Sequence, residues 1–121
     1  MTNTERGRWG ECLAANYLIS KNIKIHSRNW RWNKFEVDLI GQTKNTWVFV
    51  EVKVRKWGFY QSAIDSVSLQ KQIRVSSAAH HFIQQNLVPL RSVRFDIICV
   101  EYGRQSHRIH HIEDAFVCLP R

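Results

Sequence analysis

The segment Thr46–Arg55, TWVFVEVKVR, constrains the fold more than any other part of the chain. Side chains on a strand alternate between its two faces. Val48, Val50, Val52 and Val54 therefore share one face, and Trp47, Phe49, Glu51, Lys53 and Arg55 share the other. The run is rich in β-branched and aromatic residues, so it reads as an interior strand. Glu51 and Lys53 stand side by side on such a strand, behind two large aromatic residues, and that placement asks for a chemical reason.

The neighbouring segments supply the rest of a sheet. Residues 4–20 read as a helix, with Thr4 as a candidate cap and Leu13, Ala14, Tyr17 and Leu18 as its apolar stripe. Residues 23–31 read as a first strand, and FEVDLIG (Phe35–Gly41) as a second, joined to the third by the turn QTKN. Residues 61–86 read as helical at least in their second half, where Val75, Ala78, Ala79, Phe82 and Ile83 form one stripe, and Pro89 limits its continuation. VRFDIICVEY (Val93–Tyr102) is a fourth strand, HRIHHI a candidate edge strand, and EDAF a short terminal turn or helix. The order α-β-β-β-α-β predicts an α/β fold with a mixed central sheet flanked by helices. Short loops make the first three strands an antiparallel meander, and the long helix serves as the crossover to the fourth. No repeat, low-complexity tract or linker interrupts the 121 residues, so a single domain over 1–121 is expected.

Lys and Arg number 18 against 10 Asp and Glu, a formal charge of +8, which favours a polyanionic partner such as nucleic acid or an acidic membrane surface. Cys12, Cys99 and Cys118 form no CxxC pair, and an odd number leaves one unpaired, which argues against a disulfide scaffold or a zinc cage. His80-His81 and His110-His111 lack i,i+4 spacing and read as surface histidines rather than metal ligands. No signal peptide or membrane span is visible, so a cytoplasmic location is the expectation.

The acidic residues carry the chemistry. Glu36 and Asp38 are two apart on the second strand and are expected on one face, and neighbouring strands lie roughly 5 Å apart, so Asp38 and Glu51 converge if the register allows. Helix positions seven apart differ in direction by only about 20°, which points Glu11 along the line of Leu18, on the apolar side. A carboxylate there is costly without compensation. Ionised carboxylates gathered in one cleft either raise a pKa or take up a cation. Oxygen ligands of this kind suit Mg²⁺ or Mn²⁺, and Lys53 would stabilise charge on an attacked phosphoryl group or hold the water. Taken alone, an E-x-K pair is more often an ordinary surface pair. Asp96 reads as structural, paired with Arg94, and Glu36 as either a minor ligand or a partner for a basic neighbour.

Glu11, Asp38 and Glu51-Val52-Lys53 together resemble the PD-(D/E)XK nuclease superfamily. GRWGECLAANYL, RNWRWNKFEVDLI, VFVEVKVR, SLQKQIRVSSAAHHFI, VRFDIICV and IEDAF occur in the order seen in the YraN-like family of small bacterial proteins, related to Holliday junction resolvases. The resemblance spans nearly all of the chain. It implies a restriction-endonuclease-like fold and Mg- or Mn-dependent phosphodiester hydrolysis at Glu11, Asp38, Glu51 and Lys53. It also implies the backbone carbonyl of Val52 as a further metal ligand, and Gln70 and Lys71 as substrate contacts, although Lys71 is equally readable as a solvated helix lysine. The family usually has glycine before the second strand's acidic pair; Phe35 stands there instead, and either reshapes the pocket entrance or packs on Trp30 or Trp32. Related junction-cutting enzymes work as dimers, so a homodimer enters through the resemblance alone.

HSRNWRWNK interleaves Arg28, Arg31 and Lys34 with Trp30 and Trp32, and RKWGFYQS places Arg55 and Lys56 beside Trp57, Phe59 and Tyr60. The cations suit phosphates, and the indoles suit either base stacking or packing. No helix carries a sequence-reading motif, so backbone or shape recognition of nucleic acid, DNA ahead of RNA, is expected. The leading expectation is a metal-dependent endonuclease for branched or flapped DNA. The alternative is a non-catalytic nucleic-acid-binding or accessory protein on the same fold. A membrane-surface role lacks the basic amphipathic helix it needs.

Overall fold

The computed structural model describes residues 1–86 and 93–117. Helix α1 (Asn3–Ser20) precedes strands β1 (Lys24–Trp32), β2 (Phe35–Gln42) and β3 (Trp47–Lys56). Helices α2 (Tyr60–Asp65) and α3 (Leu69–Asn86) lead on to β4 (Val93–Tyr102) and β5 (His107–Phe116). The strands form one sheet in the order β1-β2-β3-β4-β5. The first three are an antiparallel meander, β4 runs parallel to β3, and β5 returns antiparallel to β4. The α-β-β-β-α-β order and the mixed sheet expected from the sequence are both present, and β3 lies at the centre of the sheet.

The alternation of β3 divides the core. Val48 and Val50 pack with Ala14, Ala15 and Leu18 of α1, while Phe49 packs with Val75, Ala78 and Phe82 of α3. The two helices therefore cover opposite faces. Each layer draws its energy from apolar burial, roughly 25 cal/mol per Å² removed from water. Helix α1 and β3 approach closely at Gly10, where an added Cβ would lie 2.2 Å from Val54 Cγ2. A β-branched neighbour has little rotamer freedom to yield. Gly10→Ala is accordingly expected to destabilise the protein by about 1–3 kcal/mol, with partial recovery in Gly10→Ala/Val54→Ala, as read from urea midpoints.

Three boundaries differ from the sequence reading. Thr2, not Thr4, caps α1: its Oγ1 accepts the Glu5 N–H at 3.1 Å, and Glu5 Oε1 accepts the Thr2 N–H at 2.9 Å. This reciprocal pair satisfies donors that Thr4 would leave open. The helical stretch over 61–86 is divided into α2 and α3 around Ser66–Ser68, because Ser68 Oγ accepts the Lys71 N–H and starts a new helix. EDAF extends β5 instead of turning: Phe116 pairs with Phe95, and their rings stack 5.0 Å apart. Pro89 and Cys118 lie outside the described residues; Cys12 and Cys99 are free thiols.

Both outer strands are interrupted. In β1, Asn29 has φ 51° and the register shifts between Ile25 and Ser27. In β5, Asp114 has φ 53°, and the register shifts between Phe95 and Ile97 of its partner β4. Asn and Asp tolerate this left-handed conformation better than other side-chain-bearing residues.

His110 and His111 are not the surface histidines expected. His111 Nε2–H donates to Asp96 Oδ2 at 2.7 Å, and its Nδ1 lies 3.3 Å from the Tyr17 hydroxyl. Asp96 is fully buried and also accepts both Arg94 Nε and Nη2, at 2.9 and 3.0 Å, and the Asp114 N–H at 3.0 Å. The Arg94 partnership read from the sequence is thus one part of a closed network. His110 Nε2–H donates to Glu101 at 2.9 Å. Trp30 and Trp32 turn toward α3, where Trp30 meets Phe82 and Trp32 stacks on His81 at 4.2 Å. Phe35 stacks on Trp32 at 5.7 Å, so it packs on the indole. Among the described residues, no helix is long and apolar enough to cross a membrane.

Candidate functional site

The site forms where β2 and β3 stop pairing. Their register runs from Gln42↔Trp47 to Leu39↔Val50 and ends there. The next residues in line are Asp38 and Glu51. In place of the missing rung, Asp38 Oδ2 accepts the Val52 backbone N–H at 2.8 Å. The alternation of β2 also breaks at this point: Val37 packs in the α3-side cluster, and Leu39, two residues on, in the α1-side cluster. The break falls after Asp38, and the charges of both Asp38 and Glu36 raise the Glu11 pKa, in keeping with two carboxylates on one side of β2. Glu36 also pairs with Arg31 at 3.3 Å on the hairpin.

Glu51 is only 5% exposed. Its Oε1 lies 3.8 Å from Lys53 Nζ and 3.6 Å from Lys71 Nζ. Burial, followed by the Asp38 carboxylate in hydrogen-bond contact with it, outweighs those two ammonium groups and pushes the Glu51 carboxyl up to about 7. Glu11 comes from α1, half-buried. Burial and the Asp38 charge raise its pKa, while the Asn29 side chain donates a hydrogen bond to it. Glu11, Asp38, Glu51, Val52 and Lys53 all line one open pocket of about 590 Å³. Lys71 reaches the same carboxylate from the first turn of α3.

A buried carboxyl whose pKa is raised by burial and by an adjoining carboxylate is an arrangement that a divalent cation relieves. Among the described residues, no three Asp, Glu, His or Cys side chains are grouped closely enough to hold a metal by themselves. The donor set on offer is all oxygen: two adjoining carboxylates, with backbone carbonyl, water and phosphate left to complete a shell. That set fits Mg²⁺ or Mn²⁺, which keep several waters, better than it fits zinc.

The raised Glu51 pKa has a stability consequence. The folded chain holds this proton to about 7, against 4.5 for an unperturbed glutamate, so it binds more protons than the unfolded chain between those values. Its contribution is fully present below 4.5 and is lost as pH rises through 7. Without divalent cation, the unfolding free energy is expected to decline across that window, with a slope of at most about 1.4 kcal/mol per pH unit from this group. Glu51→Gln should flatten the decline, measured by urea unfolding at stepped pH.

The candidate nucleic-acid residues divide into four places. Arg55 and Lys56 line the pocket beyond Lys53. Arg55 is also held by the Val54 carbonyl at 2.9 Å and Ser66 Oγ at 3.4 Å. Arg28 stands beside Glu11 and Cys12, while Arg31 and Lys34 lie on the β1–β2 hairpin, Lys34 over the Phe35 ring. Gln70 is exposed at the start of α3. Sequence reasoning missed Arg6, which lines the pocket with its guanidinium 5.1 Å from the Tyr102 ring centroid, and missed Asn29 and Tyr102. A signal was present in α1: Asn3, Gly7 and Glu11 repeat every four residues and all line the pocket, and the space beside Gly7 is open.

The sequence model of the uncharacterised protein family UPF0102 matches residues 10–100. A UPF0102 protein of Clostridioides difficile is 37% identical over 116 residues, covering 96% of this chain and 100% of that protein. One from Porphyromonas gingivalis is 34% identical over 119 residues, covering 97% and 87% respectively. One from Rhodococcus jostii is 37% identical over 115 residues, covering 94% and 98%.

Proposed function

The chain belongs to the uncharacterised protein family UPF0102, and from that premise we propose that it is a divalent-cation-dependent endonuclease that hydrolyses phosphodiester bonds in branched or flapped DNA. The observation that carries this reading is the contact of Asp38 with Glu51, beside Lys53, in a pocket that Glu11 also lines. It accords with the resemblance to the PD-(D/E)XK nucleases and with the net charge of +8.

Asp38, Glu51 and the Val52 carbonyl would hold Mg²⁺ or Mn²⁺, which when bound polarises a phosphoryl oxygen and makes water a better nucleophile. The protein's own groups do the rest. The Val52 N–H fixes the orientation of Asp38. Lys53, drawn toward Glu51 in the free protein, offers its ammonium to the charge that builds on the phosphoryl oxygens. Lys71 holds the outer side of Glu51 and keeps this carboxylate from turning out of the pocket. Glu11, steadied by Asn29, orients water from the α1 side. Arg6, Arg55 and Lys56 receive the flanking phosphates.

The test is cleavage of a panel of single-stranded, flapped, branched and duplex DNA, with RNA counterparts, in Mg²⁺ or Mn²⁺. Cleavage of the flapped or branched forms, absent in Glu51→Ala, is the expected result. Salt-sensitive binding without cleavage of any substrate, unaffected by metal or by Lys53→Ala, would instead establish the non-catalytic binding reading.

A further inference from the structure

The pocket has an aromatic rim. Of the five tryptophans, Trp9, Trp30, Trp32 and Trp47 are partly buried among other side chains, whereas Trp57 is 46% exposed. Phe59, two residues on, is 57% exposed and lines the pocket itself. Two aromatic rings this exposed on one short loop offer flat apolar surface that a partner can cover.

These rings are held on a stiff support. Three successive backbone amides are tied: Trp57 N–H to the Tyr102 carbonyl at 2.8 Å, Gly58 N–H to Glu101 Oε2 at 2.8 Å, and Phe59 N–H to the Lys56 carbonyl at 3.0 Å. Gly58 has φ 93°, open to glycine at little cost. Glu101 is itself fixed by His110, whose ring lies 4.2 Å from that of Tyr60 at the head of α2. The rim is therefore prearranged before anything binds.

The surface around it is cationic and continuous with the pocket. Arg6 and Tyr102 line both the acidic pocket and a neighbouring hollow that runs over the β4–β5 turn at Arg104. Arg108 places its guanidinium 4.9 Å from the Trp57 ring centroid. Rings for stacking, interleaved with cations for phosphates, match an unpaired polynucleotide strand and not a duplex, whose bases are already stacked.

We propose that the Trp57–Phe59 loop and the β4–β5 turn form a single-strand binding rim, in which unpaired bases stack on Phe59 and Trp57 while Arg6, Lys56, Arg104 and Arg108 take the phosphates. The rim deepens the nuclease reading, because it selects substrates with an unpaired strand next to the bond to be cut; the binding itself does not depend on cleavage.

The experiment measures binding of fluorescent (dT)20, its RNA counterpart and a blunt DNA duplex, without divalent metal, at several salt concentrations. Phe59→Ala/Trp57→Ala should weaken single-strand binding roughly tenfold or more, in line with the loss of base–aromatic stacking, and leave duplex binding and the salt slope nearly unchanged. Phe59→Trp should retain single-strand affinity, and an unchanged melting temperature checks that the loop variants fold. Equal weakening on duplex and single strand, or no weakening on either, overturns the rim, as does a preference for anionic vesicles over oligonucleotides. Single-strand binding through these rings without metal-dependent cleavage would sink the nuclease reading and leave the rim standing. Cleavage whose substrate preference ignores both substitutions would do the reverse.

Discussion

Asp38→Asn is expected to lower metal-dependent cleavage by about a thousandfold while leaving the unfolding free energy within about 1 kcal/mol of the parent. The two effects separate because Asp38 has two jobs. Its Oδ2 accepts the Val52 N–H in the gap where the β2–β3 ladder ends, and an asparagine carbonyl can take over that bond. Its charge faces Glu51, and in the proposed mechanism an amide could not replace that charge as a cation ligand. Asp38→Ala should differ in kind. It leaves the Val52 N–H without its partner and costs about 1–3 kcal/mol of stability as well as activity. Single-turnover cleavage and urea unfolding on all three proteins distinguish the outcomes. An Asp38→Asn variant as active as the parent would remove Asp38 from the chemistry.

Asp96→Ala is expected to cost about 3–5 kcal/mol of stability, enough to unfold a marginal domain at moderate temperature. Asp96 is fully buried and bonded on every side, by Arg94, His111 and the Asp114 amide. Removing it strands a guanidinium and an imidazole. Burial pushes the Asp96 carboxyl up, but hydrogen bonds from His111 and Arg94 more than reverse this and hold it below 3.8. Its stabilisation is therefore present above 3.8 and is lost as pH falls through the lower folded value. The parent should unfold in acid over that range, and the variant should lack that part of the transition. Circular dichroism against pH, with guanidinium unfolding at neutral pH, measures both.

Much of this architecture was legible because β3 and α3 carry strong periodic signals. Alternation in TWVFVEVKVR assigned both layers of the core, and with them the face on which Glu51 and Lys53 stand. The α3 stripe named the residues that cover Phe49. Less legible were features set by distant parts of the chain. Asp38 reaches Val52 because pairing stops one step earlier, which is a property of two strands and not of either segment. Arg6 and Tyr102 meet across most of the chain's length, so neither segment announces the other. The break at Ser66–Ser68 was hidden because a serine cap looks like any polar residue on a helix surface until its side chain is seen to accept an amide. Trp30 and Trp32 read equally well as stacking platforms or as packing until α3 supplied Phe82 and His81 as their partners.

The left-handed residues in β1 and β5 have a bearing on how the protein behaves at high concentration. A flat terminal strand offers a row of free amides onto which another copy can zip, the first step toward fibres. Asn29 and Asp114 each kink that row, and Asp114 turns its amide inward to a carboxylate. Lateral growth of the sheet from molecule to molecule is thereby discouraged at both margins.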